Sequence, residues 1–572
     1  SLGIDYLRYD SYDFDPVYTV NTYQKNAVNK VSRGYSKNNN ILFENTLNFN
    51  RTFNEKHNFG ALLGYTAEQT RYENIYATKQ NTPNNDPELQ YLDAAQLATS
   101  ATAAGGAYES SILSFLGRVN YSYDDRYLAT ASIRRDGSSR FGKSNQYGNF
   151  PSFALAWKIS NESFFVDLNQ NILNSAKLRA GWGQVGNQSI SNYAFQNLIS
   201  TNGQYAYLFG KPEVVYQGAV AVALGNKDVK WEATESTNIG IDLGFFKNKL
   251  TASVEYYNKT TKDMLIQEPI PLFLGFETGP TTNVGSARNS GVEIQAEWRA
   301  KIGKNFNYNI GGNISTIKNE MLSLGSSKFI SGGAIRNGNA TYTSVGNPIG
   351  SFWGYKTDGL VQTAEQLVDV KKRQPNAGLG DVVFVDVNDD KILSDLDKTI
   401  IGKPLPDFYY GFNVGFEFKG LDFAAIFEGT YGNDIFNAMR YFTYDLGDVT
   451  NKSVDVLNYW TPTNTNTTIP RLNGNDKNDN KRISDLYVED GSYLRLKTLQ
   501  LGYTIPQSII SKIYMSSLRV FITGQNLLTF TKYSGPDPEI GQITSSNTLS
   551  RGVDIGTYPQ AQTFTAGINI TF

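Results

Sequence analysis

The sequence predicts an all-β protein, an antiparallel transmembrane β-barrel with about sixteen strands and long external loops. Three observations lead there. Segment after segment alternates apolar and polar side chains with a period of two, which places them on opposite faces of a strand. Polar connections alternate between short turns and long stretches. No run approaches the roughly 18 to 20 apolar residues that a membrane-spanning helix needs, so a crossing has to be made by a closed barrel that leaves no strand edge in lipid.

Composition narrows the class. The chain has 572 residues, and 36 Tyr and 33 Phe bring aromatics to 13%, more than a soluble core requires. Mean hydropathy is -0.38. That value does not oppose a barrel, because only alternate strand residues face lipid and the loops are polar. A formal net charge of -2 excludes a strongly basic nucleic-acid binder, so no nucleic-acid partner is expected. The lack of Cys closes disulfide and thiolate-metal chemistry. No signal peptide is visible at Ser1-Leu2-Gly3, so the start reads as a processed or a fragment edge.

The strands follow in chain order, from residues 2–8 and 41–50 onward. Ile239, Ile241, Leu243 and Phe245 alternate with Gly240, Asp242 and Gly244. After a turn at 246–249, Leu250, Ala252, Val254 and Tyr256 alternate with Thr251, Ser253 and Glu255. Val292, Ile294, Ala296 and Trp298 then stand against Glu293, Gln295, Glu297 and Arg299, and a turn at 301–305 leads to Phe306, Tyr308 and Ile310. Tyr410, Phe412, Val414, Phe416 and Phe418 oppose Asn413 and Glu417 before a turn at Lys419-Gly420. The phase changes once, from Leu494 and Leu496 to Leu499, Leu501 and Tyr503, which predicts a bulge near Lys497. In residues 562–572, Phe564, Ala566, Ile568, Ile570 and Phe572 share one face, as suits the closing strand of an outer-membrane barrel.

Short turns belong on the periplasmic side of such a barrel and long loops outside. A further short turn is expected at Asp124-Asp125, and long external stretches at 69–110, 185–232, 261–288, 317–405, 431–490 and 528–560. Structureless loops of this length are usually functional.

Asp386, Asn388, Asp390 and Asp397, with Ser394 between, place oxygen ligands at calcium-loop spacing. Lys391 stands where that motif wants Gly, and the plainer alternative is a solvated acidic turn. Gly181-Trp182-Gly183-Gln184-Val185-Gly186 matches a dinucleotide-binding string, but the strand-like context before it and the lack of a helical period after it favour small residues on a lumen face. His57, the only histidine, is expected at a plain surface turn. Phe352, Trp353 and Tyr355, together with Tyr459 and Trp460 and with Tyr205 and Tyr207, are candidates to stack a ligand or seat a partner. The alternative is an aromatic girdle where strands leave the bilayer.

Several strings carry a resemblance. They include Leu63-Gly64-Tyr65, Asp125-Arg126-Tyr127-Leu128, Arg134-Arg135-Asp136-Gly137-Ser138-Ser139-Arg140-Phe141-Gly142, Phe150-Pro151-Ser152 and Trp157-Lys158-Ile159-Ser160. Gly183-Gln184-Val185-Gly186-Asn187-Gln188, Lys230-Trp231-Glu232, Gly346-Asn347-Pro348-Ile349-Gly350, Tyr459-Trp460-Thr461-Pro462, Tyr493-Leu494-Arg495-Leu496-Lys497 and Gly524-Gln525-Asn526-Leu527 follow. In this order the chain resembles the SusC-type TonB-dependent outer-membrane transporters of Bacteroidetes. The resemblance implies a barrel of about 22 strands filled by an amino-terminal plug. Residues 1–572 then read as one transmembrane barrel portion, with the plug and about six strands outside this sequence. It also implies energised uptake of a bulky ligand such as an oligosaccharide or peptide, handed over by a SusD-like surface lipoprotein, with TonB acting through the plug. No catalysis and no required cofactor are expected beyond the calcium candidate. The rival expectations are a passive sixteen-stranded porin and a plugless barrel that scaffolds an outer-membrane assembly.

Overall fold

A computed structural model describes the chain except for residues 167–171, 202–204, 269, 277, 337, 446–449, 512–514 and 541–547. The described residues are mostly strand, and seventeen strands belong to one large antiparallel sheet. Phe306–Thr316 and Lys318–Leu324 both pair with Thr281–Ile302 and make one traverse broken at Ile317, so sixteen traverses result, as the alternation predicts. No helix among the described residues is long and apolar enough to cross a membrane.

The chain divides into two compact units. The first comprises residues 1–155, 182–235 and 262–284; the second comprises 156–181, 236–261 and 285–572. In the first, Lys30–Phe53 pairs residue for residue with His57–Gln80. Leu2–Asp15 flanks one side of this pair and Leu97–Tyr123 the other. These strands run into the stretch 69–110 that sequence assigns to a loop, and the loop proper shrinks to about residues 81–96. The stretch 261–288 shortens likewise, because strands reach Gln267 and resume at Thr281. Both corrections have one cause. Where both faces of a strand meet water, no apolar alternation marks it.

In the second unit, Phe408–Phe418 pairs with Leu421–Tyr431 across a two-residue turn, where Lys419 and Gly420 have φ of 49° and 91°. Two positive φ values match the right-handed twist of the flanking strands. Stacked rings of Phe412 and Phe427, 4.3 Å apart, and of Phe416 and Phe423, 5.1 Å apart, knit this hairpin from strand to strand. Large apolar side chains such as Ile310, Ile426, Leu501, Ile522 and Ile568 remain exposed on one face of their strands. The pairing of Tyr493–Thr504 with both neighbours skips Lys497, so the bulge lies where the change of phase predicts it.

Candidate functional site

The stretches 325–407, 432–492 and 532–562 are not featureless loops. In the second unit they build small sheets of their own. Phe329–Ile335, Gly338–Ser344, Ser351–Gly354 and Thr399–Gly402 form one; Thr357–Leu360 and Val382–Phe384 form another. Asp434–Asn437 pairs with Val488–Asp490 and, in parallel, with Val553–Asp554. The helix Ala364–Val370 starts on Thr363, whose hydroxyl accepts from the Gln366 amide. Ala438–Thr443 starts on Asn437 in the same manner.

The three apolar cores among the described residues all lie in these stretches. One holds Phe352, Phe436, Tyr441, Tyr487 and Val553; the others gather around Phe384 and Trp460 and around Val361, Val370 and Val383. A barrel wall between lipid and lumen has no dry interior, so core packing falls to the loops.

This placement decides the aromatic candidates. Phe352 is 0% exposed, Tyr355 5% and Trp460 6%, so the expectation that these rings touch a ligand is corrected: they are core residues. The Trp460 indole N–H donates to the Gln362 side chain at 2.8 Å. The Tyr355 hydroxyl donates to Asp395 at 3.0 Å, and burial, helped by that carboxylate, pushes its pKa up to about 12. Trp353 and Tyr459 keep exposed surface. Trp353 stacks on Tyr342 at 4.3 Å, and Tyr342 on Phe329 at 4.6 Å. Tyr207 lies in an exposed hairpin, Tyr207–Phe209 with Val214–Tyr216.

The fully buried Asp381 carboxylate accepts from Arg471 Nε at 2.7 Å and Nη2 at 2.9 Å, from the Gly378 amide at 2.7 Å and from Asn480 at 3.1 Å. Sequence spacing gives no sign of this bond, because its partners lie ninety residues apart. Nearby, Arg440, Asp445, Asp476 and Lys481 line a cavity of about 50 Å³, room for a few waters. Burial raises the Asp476 pKa against the hydrogen bond from the Asn480 amide.

The acidic loop closes on its own main chain. Asp386 Oδ2 accepts from the Lys391 amide, Asn388 Oδ1 from Asp390 and Asp390 Oδ1 from Ile392. Asp397, 0% exposed, accepts from Val387 at 2.9 Å and Ser394 at 2.7 Å. Lys391 takes φ of 66°, the conformation for which the motif favours Gly. Asp386 Oδ1 is buried without a hydrogen-bond partner. Among the described residues no three His, Cys, Asp or Glu side chains gather to hold a metal.

Along the strands, polar groups pair with one another. Arg179 donates to Asp242 at 3.3 Å, to Ser253 at 3.2 Å and to Glu255. Arg519 meets Asp422 at 2.9 Å. Arg495, 2% exposed, reaches Asp537 and Glu539. The string from Gly181 to Gly186 lies wholly within the strand Leu173–Asn187, so it is not the strand-to-helix turn of a dinucleotide fold. His57 opens a strand beside its turn and bonds Tyr121 at 2.8 Å.

The family described as TonB dependent receptor-like, beta-barrel matches residues 1–527. The chain belongs to that family. It is 35% identical over 546 residues to a TonB-dependent receptor of Formosa agariphila, covering 94% of this chain and 53% of that one. To the TonB-dependent receptor SusC of Bacteroides thetaiotaomicron it is 32% identical, covering 82% of this chain and 44% of that one. Among solved structures, that of the RagAB peptide transporter matches with a TM-score of 0.83 and 28% identity, over 100% of this chain and 59% of that one. The chain thus spans about half the length of the known relatives it matches. As a TonB-dependent receptor barrel of SusC type it is a protein of the outer membrane, and its family is one of receptors and transporters.

Proposed function

We propose that this chain supplies the barrel wall and external loops of an energised outer-membrane importer. It takes in a bulky ligand, an oligosaccharide or peptide, delivered by a SusD-like surface lipoprotein, and TonB draws on a plug domain to open the path. The observation that carries the proposal is the family match over residues 1–527, with the SusC relative and the RagAB likeness over the whole chain. The folded loops support it, since a rigid external assembly suits seating a partner better than open loops do. Calcium belongs to the proposal as an ion at Asp386, Asn388 and Asp390, without the Asp397 that the spacing also offered, because both its oxygens accept main-chain amides; the unpartnered Asp386 Oδ1 supports it.

The test is a deletion strain complemented with the intact gene. Restored ligand uptake that collapses when the proton gradient is discharged, and co-purification of a lipoprotein in mild detergent, are the expected results. Uptake indifferent to the gradient, with large open conductance of the reconstituted intact protein, would establish a passive pore instead.

A further inference from the structure

The strand Leu97–Tyr123 has 27 residues, whereas a barrel strand needs about 9 to 11 to cross the hydrocarbon. Its neighbour Tyr127–Ser138 has 12 and pairs with it only from Ile112 onward. The last bond on that side joins the Ser139 amide to the Ser111 carbonyl. On its other side, Leu97–Tyr123 stays paired with His57–Gln80 through Thr102. Residues 101–110 are therefore an ordered strand with one edge satisfied and the other without a strand partner among the described residues.

Lateral ion pairs put this projection in water. Arg71 meets Glu109 at 3.1 Å and Lys37 meets Glu73 at 3.0 Å, all with exposed side-chain surface. The edge itself reads Ala-Thr-Ala-Ala-Gly-Gly-Ala-Tyr-Glu-Ser, and its residues 101–109 are exposed. Gly105 passes so near the Asn74 carbonyl that a Cβ would stand 2.7 Å from it, which holds the segment flat on its neighbour. Natural sheets guard solvent-exposed edges with Lys, Pro, bulges or cover. Here there is no Lys, no Pro and no bulge between Thr102 and Ser110, and the one charge, Glu109, is neutralised by Arg71.

We propose that the edge at residues 101–110 receives an extended segment of a partner polypeptide as an added antiparallel strand. The free groups are main-chain N–H and C=O, and what matches a row of them is another extended backbone. Small side chains let that backbone approach closely. A second copy in the same membrane fits poorly, because a two-fold axis along the membrane normal keeps both strands pointing outward and cannot set these edges antiparallel.

Hydrogen exchange on the full-length protein in detergent tests this, with a synthetic decapeptide of the sequence Arg71 to Gln80 as probe. That sequence already pairs with this strand on its satisfied side. Exchange at residues 101–110 should slow about tenfold or more at saturating peptide. Peptides N-methylated on alternate residues should split, one set losing the effect and the complementary set keeping it. No slowing, or equal behaviour of the two methylated sets, overturns the proposal. Slow exchange already present in the isolated full-length chain overturns it too, by assigning the edge to another part of the same polypeptide.

Discussion

Replacing Arg471 with Met should loosen the loop assembly without harming the barrel wall. Asp381 has no exposed surface and takes four hydrogen bonds, two of them from the Arg471 guanidinium. Removing the cation leaves a buried carboxylate with only the Gly378 amide and Asn480 as donors. Breaking a buried pair from one side costs about 3 to 5 kcal/mol. A penalty of that size raises the local opening equilibrium roughly a hundredfold to several thousandfold. Hydrogen exchange at 361–384 and 468–480 reads it, with the strands from Phe408 to Tyr431 as internal control. Asp381→Asn combined with R471M should recover part of the loss, since the uncompensated charge is then gone. Unchanged exchange in R471M, or a double variant as loose as the sum of the two singles, refutes the reasoning.

Gly380→Ala should destabilise the same region by about 1 to 3 kcal/mol, seen as a lower melting temperature of loop fluorescence, because φ is 79° and a Cβ would stand 2.3 Å from the Trp460 ring. Burial raises the Asp434 pKa despite the Lys403 amide, so its favourable contribution is complete below the ordinary Asp value and lost as pH rises through the raised one. Asp434→Asn should therefore be more stable than the parent at pH 7, with the difference vanishing in acid melts. Deleting Lys497 removes the extra residue and leaves Leu499, Leu501 and Tyr503 on the face they share with Leu496, so heat-modifiable migration on gels should be kept, whereas inserting a residue after Thr498 should abolish it. Calcium titration should raise the melting temperature of the loops saturably in the parent and not in Asp386→Ala.

What could be read ahead of the structure follows from which interactions are local. The turns at Lys419-Gly420 and 246–249, the bulge at Lys497 and the number of traverses all rest on neighbours a few residues apart, and period-two patterning records them. The loop assembly was hidden because its contacts are distant. Phe352 packs on Phe436, Asp381 bonds Arg471, and Val553 pairs beside Phe436. Aromatic strings there read as exposed candidates because polar neighbours surround them, yet Phe352, Tyr355 and Trp460 lie inside. The calcium-like spacing gave no hint that Asp397 spends both oxygens on main-chain amides.

One of the small sheets is assembled from pieces that the chain delivers at different times. Asp434–Asn437 waits for Val488–Asp490, which follows a long excursion, and for Val553–Asp554, which comes after two more wall strands. The stretch 325–407 carries two of the small sheets whole, but this third one is split between 432–492 and 532–562. Specificity in such a molecule has to be grafted as a set: a chimaera that exchanges residues 325–407 alone would bring two whole sheets but part Phe352 from Phe436 and Phe384 from Trp460, whereas moving all three stretches together keeps the cores intact and leaves only wall contacts such as Arg495 with Asp537 and Glu539 to be matched.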